Sequence, residues 1–250
     1  LGAAYERIKE RAIHRLSKYR DYPNLITFND FERSVIFTTE RLIPTASTNR
    51  PRVMLLFSNP HPHSIHQGMF LSPSTKGRES LFWPVMDDAG WLSVEGKPRS
   101  PKQLADICIK AEYRGPFELI FYCYYAFPTD YPEDIRRIFG REYFSQLIAP
   151  EAADEFRETI QETSVEAVVT FNKGIFNLVS EDHIERYIER LKAGELIQSQ
   201  IKGIDRTFSI FLTYPTGYRY HKEYRQFRKA SLDKIKRAIS GGKEPEGENT

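Results

Sequence analysis

Apolar residues recur along the chain with two different spacings. In residues 3–19, Tyr5, Ile8, Ala12, Leu16 and Tyr19 fall at helical intervals and predict an amphipathic helix. Residues 25–43 include SVIFTTERLIP, a β-rich stretch suited to a sheet edge. RVMLLFSNP (52–60) carries apolar residues without alternation, as expected of a strand buried on both faces. ELIFYCYYAFP (118–128), VEAVVTFN (165–172) and TFSIFLTYP (207–215) repeat that pattern, the last after a β-excursion that begins near residue 195. Between the strands, helices are predicted at 79–91, 100–113, 132–148, 150–163, after Gly174, and at 181–193, with a final helix at 221–239. Pro84 is expected to bend the first of these, while Ser100-Pro101 makes a good helix start. A loop of Pro, His, Ser and Gly at 59–78 is long for a compact domain, a length usually associated with function.

Buried strands alternating with helices predict an α/β protein, a three-layer α/β/α domain around a central, mainly parallel four-stranded sheet. One domain is expected over residues 1–240, with 1–50 as an N-terminal helical and β extension and 241–250 as a disordered, polar tail. Ligands of such sheets bind beyond the carboxyl ends of the strands. That rule singles out FSNPHPHSIHQGMF (57–70) and TYPTGYRY (213–220).

Composition narrows the class. The 250 residues are 40% hydrophobic and 28% charged, enough to build a core and a solvated surface. Two cysteines, Cys108 and Cys123, exclude a disulfide scaffold and any four-cysteine metal or cluster site. No apolar run approaches about 18 residues, so no membrane partner is expected. The first residues are charged throughout and lack a secretory apolar stretch, which makes a reducing cytoplasm the default. Leu1 opens the chain, which leaves room for a short preceding native segment. Net charge is only +2, but it is unevenly spread. Residues 218–239 hold eight Lys/Arg against two acids, and residues 1–20 hold six against two. Such ends could form a phosphate-binding face; the same pattern also describes two solvated helix faces.

Several side chains could carry chemistry. Asn59 ends a buried strand, where an amide can hold a water or a substrate edge, or simply cap the turn before Pro60. His61 and His63 form an H-x-H pair, a metal-ligand spacing that needs further ligands; Asp130 is the one acid near a second strand end. Pro215 and Gly217 make a tight turn into a basic helix, a start that favours phosphate. From it Tyr218, Arg219 and Tyr220 project as an aromatic–basic–aromatic run suited to a nucleic-acid stack, or as exposed turn residues. No nucleophile elbow, Walker loop or Rossmann fingerprint is present. Cys123, inside a predicted strand, reads as a small apolar filler.

Together these segments resemble the uracil-DNA glycosylase superfamily, and most of all its thymine/uracil mismatch-specific branch. That branch has a strand ending in G-I-N-P-G, a loop to a pocket phenylalanine, an RFW-x-x-x-x-x-A-G helix and an N-P-S-G turn. The corresponding residues are FSNPH (57–61), QGMF (67–70), SLFWPVMDDAG (80–90) and YPTG (214–217). The resemblance spans about residues 50–239. It implies that Asn59 positions the attacking water and that Phe70 stacks on a flipped base, with Ser58 and His61 at the base pocket. It also implies that Thr216, Gly217, Tyr218, Arg219 and Lys222 contact DNA. The implied activity is hydrolysis of the N-glycosidic bond of a damaged or deaminated, uracil-type base. The partner would be duplex DNA with a damaged or mismatched base, the protein a monomer, and no metal or other cofactor is required. The chain departs from the pattern at Phe57 and His61, which replace glycines, and at Thr216, which replaces a serine; CYYAFP also lacks the Asn with which some branches read uracil. A second reading is therefore a superfamily member that binds nucleic acid without catalysis. A third is a metal-dependent hydrolase using His61 and His63.

Overall fold

The structure, a computed structural model, describes residues 2–74, 77, 80–96, 98, 100–204, 208–216 and 223–241. Among the described residues there are eight strands: β1 (Ile26–Asn29), β2 (Ser34–Phe37), β3 (Arg41–Leu42), β4 (Arg52–Phe57), β5 (Glu118–Cys123), β6 (Ala167–Thr170), β7 (Ile197–Gln200) and β8 (Ser209–Leu212). The helices are α1 (Gly2–Leu16), α2 (Pro62–Gln67), α3 (Phe82–Asp88), α4 (Pro101–Ile109), α5 (Pro132–Phe139), α6 (Arg141–Tyr143), α7 (Ala149–Glu162), α8 (Lys173–Val179), α9 (Tyr187–Lys192) and α10 (Glu223–Ile239).

The central sheet is mixed and six-stranded, in the order β3-β5-β4-β6-β8-β7, rather than four-stranded as the apolar runs predict. The four runs do form strands, and β4 pairs in parallel with β5 and β6, and β6 with β8. The two additions are antiparallel edges: β3 from the N-terminal 50 residues pairs with β5, and β7 pairs with β8. β3 has two residues and β7 the burial pattern of a half-covered edge, so neither leaves a long apolar run in the sequence. β1 and β2 form a separate hairpin.

Both faces of the sheet are covered, which explains the unalternating strands. Met54, Leu56, Ile120 and Tyr122 point into one core with residues of α1, α5, α7 and α8. Val53, Leu55, Leu119 and Phe121 point into a second core with residues of α3, α4 and α10.

Helix boundaries moved where local chemistry competed with periodicity. Pro84 lies in the first turn of α3, where a missing N–H breaks no helical bond, so it starts the helix instead of bending it. The predicted helix 181–193 shrinks to α9, because residues before it bond to α8 and β7: Ile184 N–H donates to Asn177 Oδ1 and Asp182 N–H to Ser199 Oγ. The break expected before Pro150 falls instead at Gly140, whose φ of 81° places it in the left-handed region. Helical structure then runs on through a π-turn at Phe144–Ile148, just ahead of the proline that lacks an N–H.

At the amino ends of the parallel strands, Glu118 is 1% exposed and accepts from Arg52 Nε at 2.6 Å and from Thr48 N–H at 3.0 Å. Burial pushes this carboxyl up, but the two donors outweigh it and its pKa is lowered. Arg52 also donates to Thr163 O at 3.1 Å, tying the end of α7 to the sheet. Arg52→Met should therefore destabilise the fold by about 3 kcal/mol, since it leaves a buried carboxylate uncompensated. Adding Glu118→Leu should restore most of the loss. Urea unfolding of both variants measures this; a neutral Arg52→Met would contradict it.

Candidate functional site

The parallel strands all end at one edge, and their register decides which side chains meet there. Phe57 pairs with Cys123, and Leu56 with Thr170, so Phe57 lies between Cys123 and Phe171. Arg41 pairs with Tyr122 in antiparallel fashion, which brings Glu40 opposite Cys123. One row across the sheet thus reads Glu40, Cys123, Phe57, Phe171 and, next to it on the β8 side, Thr213.

Aromatic rings fill this edge. Phe57 stacks on Phe171 with centroids 5.6 Å apart and planes 12° apart, and lies parallel to Phe121 at 6.3 Å. Phe70 packs on Phe57 at 5.2 Å and on Phe121 at 5.6 Å, and Phe82 closes against Phe57 and Phe171. Phe70 is 3% exposed, so in this conformation it offers no free face to a base.

Asn59 is half-buried and heavily engaged. Its Nδ2 donates to Thr129 O at 2.7 Å and Thr129 Oγ1 at 3.0 Å, with Pro60 O at 3.3 Å. Its Oδ1 accepts from Ser58 Oγ at 3.0 Å. The amide clamps the exits of β4 and β5, and retains one acceptor lone pair on Oδ1.

The histidines beyond Asn59 are held by the N-terminal extension. His61 caps α2: its Nδ1 accepts from His63 N–H at 3.2 Å, and its Nε2 lies 3.4 Å from Asp130 Oδ1. Partial burial lowers its pKa, and Asp130 opposes that shift. His63 Nε2 contacts Pro73 O at 2.7 Å; a carbonyl accepts only, so this nitrogen carries the proton and Nδ1 accepts from Tyr22 OH at 3.1 Å. His66 stacks on Tyr22 with centroids 4.1 Å apart. The H-x-H pair is thus spent on protein partners. Among the described residues, no group of three His, Cys, Asp or Glu is arranged to hold a metal ion.

Two carboxyls flank the His61 segment with opposite tendencies. Asp130 accepts from Tyr19 OH at 2.5 Å and pairs with Lys18 at 2.6 Å. Burial would raise it, but these partners hold its pKa below the usual value. Glu40 is the reverse: burial pushes its pKa from 4.5 to about 8, only partly offset by the His61 backbone N–H. Its Oε1 is buried without a hydrogen-bond partner. Glu40 and burial together raise the Cys123 thiol, burial being the larger cause, so Cys123 is an inert filler as expected.

The basic ends are largely neutralised from within. On α10, Arg225 pairs with Asp88, Lys229 with Asp233 at 2.8 Å, Lys236 donates to Ala89 O at 2.8 Å, and Arg228 is buried. On and just after α1, Lys9 pairs with Asp30, Arg15 with Asp134 and Lys18 with Asp130. Thr216, half-buried, closes the β8 exit beside Phe171 and Tyr214. Gly217, Tyr218, Arg219 and Lys222 lie outside the described residues, as does the tail from residue 242.

Asn59, Ser58, His61 and Phe70 therefore do converge on one strand end. Glu40 and Thr129 join them unannounced. Glu40 sits in a β-rich stretch with no motif around it, and only the short β3 pairing brings it to the site. A scan against models of protein families found no match for the chain, and a search of the curated proteins found none.

Glu40 makes stability pH-dependent in a defined direction. Between about pH 4.5 and 8 the unfolded chain is ionised at this residue while the folded protein keeps the proton. Its contribution is fully present below pH 4.5 and is lost as pH rises through 8. Glu40→Gln mimics the neutral acid, so its melting temperature should fall less than that of the wild type between about pH 5 and 9. Parallel pH profiles would show that Glu40 ionises normally.

Proposed function

We propose that this chain is a nucleic-acid-binding protein of three-layer α/β/α, uracil-DNA glycosylase-like architecture whose base pocket is closed by aromatic packing. The observation that carries this reading is the Phe57 ring. It occupies the position that the resemblance leaves to glycine, stacks on Phe171 and covers Phe70. A base cannot stack on Phe70 unless both rings move, and moving them exposes apolar surface worth about 2–3 kcal/mol per side chain. Cores on both sheet faces support the layered architecture. Support for nucleic acid comes from the Tyr218-Arg219-Tyr220 run with Lys222, an aromatic–basic run that follows β8 in the sequence.

A second reading, a glycosylase that retains activity, is favoured by one feature. Asn59 Oδ1 keeps a lone pair for a water, and Glu40 offers a neutral acid nearby that could protonate a leaving base. Water would then attack the sugar carbon as the glycosidic bond breaks; the base departs with the Glu40 proton, and the proton lost by the attacking water returns to the Glu40 carboxylate.

A screen of duplexes containing uracil, hypoxanthine, xanthine or a thymine mismatch separates the two. The proposal expects duplex binding that weakens steeply with salt, as phosphate contacts require. It expects no abasic product above background. Tyr218→Ala with Arg219→Ala should weaken binding, while Asn59→Ala should leave it unchanged. Cleavage by the wild type, falling by about two orders of magnitude in Asn59→Ala, would replace the proposal with the second reading. Absence of salt-sensitive binding would remove both.

A further inference from the structure

Away from the strand ends, two cavities meet between α1, the β1–β2 hairpin and the α5–α7 segment. The larger, about 400 Å³, is lined mainly by apolar groups that include Ile8, Val35, Phe37, Phe127 and Ile148. The smaller, about 210 Å³, is lined by Arg7, Arg11 and Arg141 together with Glu142. Both include Ala4, Ile8, Phe139 and Tyr143 in their walls, so the two lie side by side.

Arg7 and Arg11, and Arg141 on α6, are unlike Lys9 and Arg15 on α1. Lys9 and Arg15 have carboxylate partners, whereas no side-chain partner exists among the described residues for Arg7, Arg11 or Arg141. Arg7 and Arg11 lie one helical turn apart on the same face, and Arg141 faces them across the Gly140 break, where Arg11 approaches Gly140 closely. Three unpaired guanidiniums against Glu142 leave an excess of positive charge at the mouth of an apolar chamber. The chamber's polar groups are engaged or exposed: Tyr5 OH donates to Asp30, Glu155 pairs with Arg41, and Arg33 and Glu151 are exposed. Its walls can bury a chain but offer little to read a nucleobase edge.

We infer that this space is a binding site for an amphipathic anion: an aliphatic body in the apolar chamber and a carboxylate or phosphate head among Arg7, Arg11 and Arg141. The size is that of small-ligand pockets, and guanidinium forks suit both head groups. The π-turn Phe144–Ile148 supplies part of the chamber wall, a helix irregularity that frequently accompanies binding sites. The inference does not rest on the nucleic-acid reading, and the two can fail separately.

Isothermal titration calorimetry on the full chain tests it, with every probe below its micellar concentration. Dodecyl phosphate and dodecanoate should each bind saturably to one site, and their relative affinities identify the preferred head. Dodecanol, which lacks the charge, and inorganic phosphate, which lacks the chain, should each bind at least about tenfold more weakly. Arg7→Gln with Arg11→Gln should weaken the anions by about tenfold or more, and Ala4→Trp should abolish binding by filling the chamber, both with unchanged circular dichroism. If Ala4→Trp fails to fold, Val35→Phe serves as the filling variant. The inference is overturned if neither anion saturates, if affinity survives both kinds of variant, or if dodecanol or inorganic phosphate binds as tightly as dodecyl phosphate. It is equally overturned if a short oligonucleotide binds the arginines more tightly than dodecyl phosphate and Ala4→Trp does not affect it.

Discussion

The register of β4 against β5 and β6 is the constraint on which the rest of the molecule depends. Parallel strands buried on both faces assign alternate residues to two separate cores, and a slip of one residue would exchange them. With Phe57 opposite Cys123, the ring faces the core that contains Phe70, Phe82 and Phe121, and the exit of the sheet closes over apolar surface. The same register places Glu40 beside Cys123 once β3 adds to β5. An acid whose pKa burial raises and a plug of stacked rings thus share one row across the sheet, the first set by the β3–β5 pairing and the second by β4 between β5 and β6. The amide of Asn59, drawn to Thr129 across the β4 and β5 exits, reinforces it.

Charge is distributed by the same logic of proximity. Helix α10 looks strongly basic along the chain, yet it packs beside α3, and Asp88, Ala89 O and its own Asp233 take up several of its cations. Arg228 is turned inward. Exposed pairs of this kind contribute little stability, but each removes a cation from the surface available to phosphate. Near the N-terminus, α1 gives some charges to Asp30 and Asp134 and leaves Arg7 and Arg11 beside Arg141. A count of charges in a sequence window does not separate these cases, because the partners come from distant elements.

The N-terminal 50 residues do more than precede the sheet. They supply an edge strand, the Glu40 carboxyl, and Tyr19 and Tyr22, which engage Asp130 and His63. These contacts spend the His63 ring, while His61 is held by the start of α2 and by Asp130. A metal-ligand spacing in sequence becomes a set of ordinary hydrogen bonds in the fold.

The sequence by itself determined the four buried strands, since an unbroken apolar run of that length has one stable use, in a sheet covered on both sides. It also determined helix starts through Ser100 and Pro101 at α4 and Pro132 at α5, whereas α2 lies inside a stretch that reads as a loop. Tertiary structure alone decided the rest. The edges β3 and β7 are short and half-exposed; the sequence marks β character near both, but which strand each joins is decided only in the fold. The shortened α9 reflects hydrogen bonds of the residues before it to Asn177 and Ser199, on α8 and β7. Whether Asn59 faces solvent or Thr129, whether Glu40 keeps its proton, and which arginines stay unpaired all depend on residues tens of positions away, brought close only when the chain folds.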